Sequence, residues 1–220
     1  MRHFVYTLFV SLVAFTGTLC AQGTFSVHAG PAFPIGDFGD DDYNNDPAGH
    51  ASLGFGIGAK YAHPVTDFGL GVFGSVDLIL NGIKKSTRDD WEEEYPGSDF
   101  TFEKYLSIPV CAGAQYQYDL NENLGFYGQF GLMVHFLKMT KWEWREPGDD
   151  DYIENYDLST KLGVVFGAGV VLNNMFEFGF SVMASGERDI DGEYDYGTDH
   201  DTFDFQRKVG LFNLTAGYRF

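Results

Sequence analysis

The sequence predicts an all-β protein, an eight-stranded antiparallel up-and-down transmembrane β-barrel. Three observations predict it. From residue 23 onward, apolar residues recur with a period of two in eight segments, the pattern of strands rather than helices. The connections between these segments alternate long and short, as in a meander whose long loops all lie at one end. Charge divides in the same way: the four long connections hold 27 acidic and 6 basic residues, a net −21, while the rest of the 220-residue chain nets +3.

The chain opens "MRHFVYTLFVSLVAFTGTLCAQG". Arg2 and His3 give a basic start, Phe4 to Phe15 an apolar run, and small residues lead to Ala21, the signature of a cleaved secretory signal. Cleavage after Ala21 leaves residues 22–220 as one barrel domain with no linker or break in composition. Cys20 would suit a lipid anchor, but Leu19 precedes it where a small residue is expected. Without Cys20 only Cys111 remains, so no internal disulfide can form. No later apolar run approaches the ~20 residues of a membrane helix.

The expected strands are 23–33, 50–62, 68–80, 104–118, 125–140, 158–172, 176–185 and 205–220, with no helix between them. The long connections are 34–49, 81–103, 141–157 and 186–204, acidic and rich in Tyr and Trp, and are read as extended, solvated loops. The short ones are "HPVTD", "DLNENL" and "NNM". Aromatics make up 17% of the chain, so the net charge of −18 does not signal disorder. That charge excludes a nucleic-acid partner, which would demand a basic face.

Alternation alone does not separate a membrane barrel from a soluble one; the composition of the two faces does. In residues 158–172, Leu162, Val164, Phe166, Ala168 and Val170 share one face, opposite Lys161, Gly163, Val165, Gly167 and Gly169. In residues 50–62, Leu53, Phe55, Ile57, Ala59 and Tyr61 oppose Ser52, Gly54, Gly56, Gly58 and Lys60. A water-facing surface would be dense in Lys and Glu. A face of glycines suits a narrow lumen packed with side chains, which leaves the bulky face to lipid. Tyr61, Phe68, Tyr116, Tyr118, Phe126, Phe176, Tyr218 and Phe220 flank the short turns and are expected to form an aromatic girdle at the headgroups.

The last segment ends Tyr218–Arg219–Phe220 after alternating apolar residues, and resembles the signal by which outer-membrane proteins are recognised for assembly. With "AGPAFPIGDF", "GFGIGAKYAHPV" and "YLSIPVCAGAQY", residues 23–220 resemble the small outer-membrane β-barrel family, the OmpX/PorT-like group. The resemblance implies an eight-stranded barrel in a bacterial outer membrane, without a wide pore. It implies contact with the lipid bilayer, and with the assembly machinery through Tyr218 and Phe220. It implies no shared reaction, because fold does not fix function.

Lys60, Asp77, Lys161, Glu177, Arg207 and Arg219 fall in the lumen phase. Buried charges must be paired, so a network that plugs the lumen is expected, with a polar path for small solutes as the alternative. Pro109 and glycine bulges could slip the phase of individual residues. His28 and His135 are also in the lumen phase, while His50 and His200 lie at loop edges and His63 in a turn. Ser181, Ser185, His28 and His135 could be combined into a lipid-modifying site, but their spacing does not favour one. The acidic runs 39–47, 88–99, 148–157 and 188–204 have the density of hard oxygen ligands for a divalent cation such as Ca²⁺. None fits an EF-hand loop: "DIDG" has no Glu at the closing position. Interleaved Tyr43, Trp91, Tyr95, Trp142, Trp144, Tyr152, Tyr156, Tyr194 and Tyr196 suit recognition of a surface ligand. The reading is therefore non-enzymatic, with no catalytic, cofactor-binding or metal residues and no cofactor. It is a structural or surface-interaction protein working through its loops, with a narrow channel or carrier and a lipid-modifying enzyme as the alternatives.

Overall fold

The computed structural model describes residues 23–41, 48–148 and 150–220. The expected signal segment, Asp42 and Tyr43 lie outside them. Eight strands form a closed barrel. They are β1 (Thr24–Ile35), β2 (Gly54–Pro64), β3 (Leu70–Asn81), β5 (Tyr105–Asn121), β6 (Leu124–Met139), β9 (Ser159–Leu172), β10 (Phe176–Ser185) and β13 (Gly210–Arg219). Around the cylinder they follow the order β1-β13-β10-β9-β6-β5-β3-β2, with every neighbouring pair antiparallel. The seam is β1 on β13, from Ser26 opposite Arg219 to Ile35 opposite Gly210.

The two faces separate as the alternation requires. Leu132 and Leu162 are 69% and 72% exposed, while Met133 and Val165 on the same strands are 2% and 1% exposed. An outward belt of Leu, Phe, Ile and Val around the whole barrel is stable in hydrocarbon and not in water. Inside, glycine makes room for larger side chains. A Cβ on Gly58 would lie 2.3 Å from Asp77 Oδ1 and 2.6 Å from His28 Nε2. Pro109 does not slip the phase: it stays opposite His135 of β6, and only the ladder to β3 is interrupted, at Asp77 and Leu78. The β9–β10 turn holds Asn173 and Asn174 at φ of 52° and 55°, the left-handed pair that a tight hairpin favours. Around the short turns, Phe25 packs on Phe220 at 6.0 Å, Phe220 on Tyr218 at 5.1 Å, and Tyr218 on Phe176 at 5.7 Å.

The long connections are not extended loops. Three of them build a second, five-stranded sheet, a crown. Its strands are β4 (Asp99–Thr101), β7 (Trp142–Arg145), β8 (Tyr152–Tyr156), β11 (Arg188–Tyr196) and β12 (Asp199–Arg207), in the order β12-β11-β8-β7-β4. The expected final segment 205–220 is therefore two strands: residues 205–207 end β12, and the chain re-enters the barrel at Gly210. The expectation of no helix also fails, since Lys85–Glu94 forms α1. Its sequence "KSTRDDWEEE" has no apolar stripe, and a ten-residue helix is marginal alone. Tertiary ring contacts hold it: Trp91 packs on Trp142 at 5.7 Å and Phe100 at 6.1 Å, and Tyr95 on Trp144 at 5.0 Å. The first connection makes a 3₁₀ turn at Gly36–Gly39, whose fully buried Phe38 meets Tyr105 edge-on at 5.0 Å.

Phe166 sits midway along β9 on the lipid face. Phe166→Arg should destabilise the inserted barrel by about 2–4 kcal/mol, the cost of a midplane cation, as read from urea unfolding in lipid vesicles.

Candidate functional site

The barrel interior is layered. Nearest the short turns, Glu177 accepts hydrogen bonds from Lys60 Nζ and from Arg219 Nε at 2.8 Å, and Arg219 reaches Gln117 Oε1 at 3.2 Å. The Lys60 ammonium also lies 4.1 Å from the centre of the Tyr127 ring. His28 pairs with Asp77 at 2.6 Å. The void beside these groups is about 30 Å³, room for about one water. Above them Ile79, Cys111, Met133, Val165, Met183 and Leu211 form a buried apolar layer. Arg188 closes the top, 2.9 Å from His135 Nδ1 and hydrogen-bonded to Ser185 Oγ. At the other end, the mouth opens as a cleft of about 550 Å³ lined by His63, Asp67, Gln115, Gln117 and Asp119 among others.

The structure thus brings Lys60, Glu177 and Arg219 into one network and Asp77 to His28. It does not bring in the other two expected lumen charges. Lys161 is exposed at the upper end of β9, beyond the packed interior. Arg207 belongs to the crown, because the bend after β12 breaks the phase on which its lumen placement rested. The sequence reading missed Arg188, a fully buried side chain hidden within an acidic run. His28 and Ser181 have different partners, Asp77 and Asn213. Ser185 does approach His135, at 3.4 Å, but the group on His135 Nδ1 is the Arg188 cation rather than an orienting carboxylate.

The crown sheet divides its residues by alternation. In β11, Arg188, Ile190 and Gly192 are buried, whereas Asp189, Asp191 and Glu193 are exposed. The "DIDG" run is therefore a strand with carboxylates on its outer face, not a ligand loop. Elsewhere the acidic groups are held by neighbouring side chains: Asp41 by Ser86 and Lys84, Asp37 by Lys208, Asp195 by His200, and Glu143 by Lys141 and Arg145. Among the described residues no three His, Cys, Asp or Glu side chains converge as a metal would require.

The inner face is aromatic, with Trp142, Trp144, Tyr152, Tyr156, Tyr194 and Phe203 in mutual or neighbouring ring contact. Between this face and α1 lies a cleft of about 330 Å³, walled by Trp91, Phe102, Trp142, Tyr156, Phe203 and Phe205. Its polar groups are His50, Thr87, Glu103, Glu154 and Arg207. Glu154 accepts from Tyr156 Oη at 2.6 Å and Tyr152 Oη at 3.1 Å. The Arg207 guanidinium lies 4.4 Å from the centre of the Phe205 ring. Burial lowers the pKa of His50, and Arg207 adds to the effect, so the imidazole is neutral at pH 7. Burial raises the Glu103 carboxyl above its ordinary range, against the opposing pull of Arg207. His50 also holds a left-handed backbone, φ 49°, a strain of the kind found at functional sites.

No protein-family model and no curated protein matches this sequence. Solved structures do. A major outer membrane protein from Thermus thermophilus aligns over 90% of this chain and 99% of its own at 16% identity, with a TM-score of 0.55. The outer membrane protein OprG from Pseudomonas aeruginosa aligns over 90% and 96% at 15% identity, with a TM-score of 0.53. This is the fold of the small outer-membrane β-barrels. Ail, the attachment invasion locus protein of Yersinia pestis, aligns over 90% of this chain and 99% of its own, at 21% identity and a TM-score of 0.44.

Two outcomes test the site as described. Glu177→Ala leaves Lys60 and Arg219 buried without their counter-charge and should cost about 3–5 kcal/mol of barrel stability, measured by equilibrium unfolding. The raised Glu103 carboxyl favours the protonated fold. Its stability contribution is therefore whole below the ordinary value of 4.5 and is lost as pH rises from there through the raised value. Denaturation followed by tryptophan emission should show the crown weakening over that window, and Glu103→Gln should remove this part of the pH dependence.

Proposed function

We propose that this protein is an outer-membrane surface protein whose barrel is an anchor and whose crown is the working part, turned to the cell exterior with the short turns in the periplasm. The cleaved signal over 1–21 and the single domain over 22–220 belong to this reading. The observation that carries it is that three long connections fold into one sheet with a helix on its aromatic face, instead of fraying as solvated loops. A folded aromatic surface suits recognition, since Tyr and Trp give contact area at low entropic cost. The exposed aromatics Tyr218 and Phe220 on the lipid side of the seam support recognition by the outer-membrane assembly machinery.

The layered lumen favours the anchor over the channel or carrier, because an apolar layer and the Arg188 lid leave side chains where a solute path would run. The Arg188 cation on the His135–Ser185 pair, where an enzyme would set a carboxylate, gives the lipid-modifying reading no support.

Cells displaying the protein should attach to a matrix-coated surface, and Trp142→Ala with Trp144→Ala should abolish attachment while the barrel stays heat-modifiable on gels. Attachment that survives those substitutions and neutralisation of Asp40 and Asp41 would defeat the reading. Reconstituted wild-type barrels should be silent in planar bilayers, and steady single-channel steps would restore the channel.

A further inference from the structure

The crown cleft holds more acidic groups than its own cations match. Three charge-bearing groups face it: Glu103 from the 102–104 link, Glu154 from β8 and Arg207 from β12, beside His50 and the Tyr156 hydroxyl. Arg207 is already engaged, with its guanidinium 4.4 Å from the centre of the Phe205 ring. Glu154 is satisfied by two tyrosine hydroxyls. Glu103 enters no ion pair among the described residues; its own backbone and the Arg207 charge are what favour its ionised form. A carboxylate kept in an apolar cleft without a counter-ion costs stability, and a cation arriving beside it would relieve that cost.

The walls say which kind of cation. A hard metal ion needs six or more oxygen ligands at short range, and this cleft is walled by rings with two carboxylates. Aromatic faces attract cations through their quadrupole, most strongly when water is excluded, and alkylated ammonium groups match both the rings and the apolar volume. The cleft volume, about 330 Å³, lies at the lower end of the range for small-molecule sites. The net −21 of the long connections draws cations toward this end of the molecule.

We propose that the crown cleft is a binding site for a small alkylated ammonium ion, with Glu103 as its counter-charge and Trp91 and Trp142 as the ring faces that hold it. The proposal deepens the surface-recognition reading and rests on it for the exposure of the crown. Its test needs only the purified protein, so attachment and ligand binding can fail separately.

All three tryptophans of the chain lie in the crown, so their emission reports on the cleft without interference from the barrel. The full-length protein in a maltoside detergent, free of competing choline headgroups, is titrated with choline and in parallel with its uncharged isostere 3,3-dimethylbutan-1-ol. Choline should give a saturable change in emission and a calorimetric heat, with affinity about tenfold above that of the isostere. Glu103→Gln should weaken choline by about tenfold and leave the isostere unchanged, and Trp142→Phe should weaken choline less than Trp142→Leu. Emission of the unliganded variants checks that the crown is folded; should Glu103→Gln unfold it, the Trp142 pair carries the test. Equal binding of choline and isostere would make the cleft merely greasy and overturn the proposal, as would absence of saturation, or displacement of choline by Ca²⁺ at equal ionic strength.

Discussion

In hydrocarbon a backbone amide or carbonyl has no water to turn to, so every strand edge must be paired. The seam between β1 and β13 meets that demand, and much else in the molecule follows from it. Closure with eight strands fixes a narrow interior, and a narrow interior admits large polar side chains only where their neighbours are small. This is why Gly58 faces His28 and Asp77, and why the Tyr127 ring lies over Gly169 and Gly179. The charges admitted in this way are tolerable because each is paired with an opposite one. Glu177 takes two cations at once, and Lys60 has a second attraction in the Tyr127 ring.

The crown solves a different problem. Its strands are short, acidic and in water, and an isolated sheet of this kind would have little to stabilise it. It gains a core from rings. The contacts of Trp91 and Tyr95 with Phe100, Trp142 and Trp144 clamp α1 to the sheet, while Tyr156 meets Phe203 and Phe205 edge-on closer to the barrel rim. The sheet is tied to the barrel by Ser159 of β9, whose hydroxyl donates to the Asp189 carbonyl of β11 at 3.1 Å, and by Lys138, which donates to the Tyr156 carbonyl. Anchor and crown are thus stabilised by opposite uses of the same residue types: aromatics outward in the barrel, inward in the crown.

The barrel was legible in the sequence because period two, turn length and the glycine-rich face all agree, and each strand lies within a few residues of its expected place. The crown was legible only in part. "WEWR", "RDIDGEYDY" and "DHDTFDFQR" alternate as clearly as any barrel strand, but their dense carboxylates read as solvated loop, because charge outweighs a short alternation when no partner strand is known. α1 could not be read at all: "KSTRDDWEEE" is polar along its length but for Trp91, and the ring Trp91 packs on across the sheet, Trp142, is 51 positions further along the chain. Arg188 was hidden for the same reason as β11, since a lone cation among aspartates reads as surface until the strand's facing is known.

The layering of the interior makes the two ends of the cylinder unlike. Water entering at the short turns meets hydrogen-bonding groups as far as the His28–Asp77 pair and then a close-packed, mainly apolar stratum of Met, Val, Leu and Ile, with Ser107 and Asn213 among them, beneath the guanidinium of Arg188. The molecule is in effect a blind well, wettable from below and sealed from above. Hydration that begins at its floor therefore stops at that stratum, short of the rim that carries the crown.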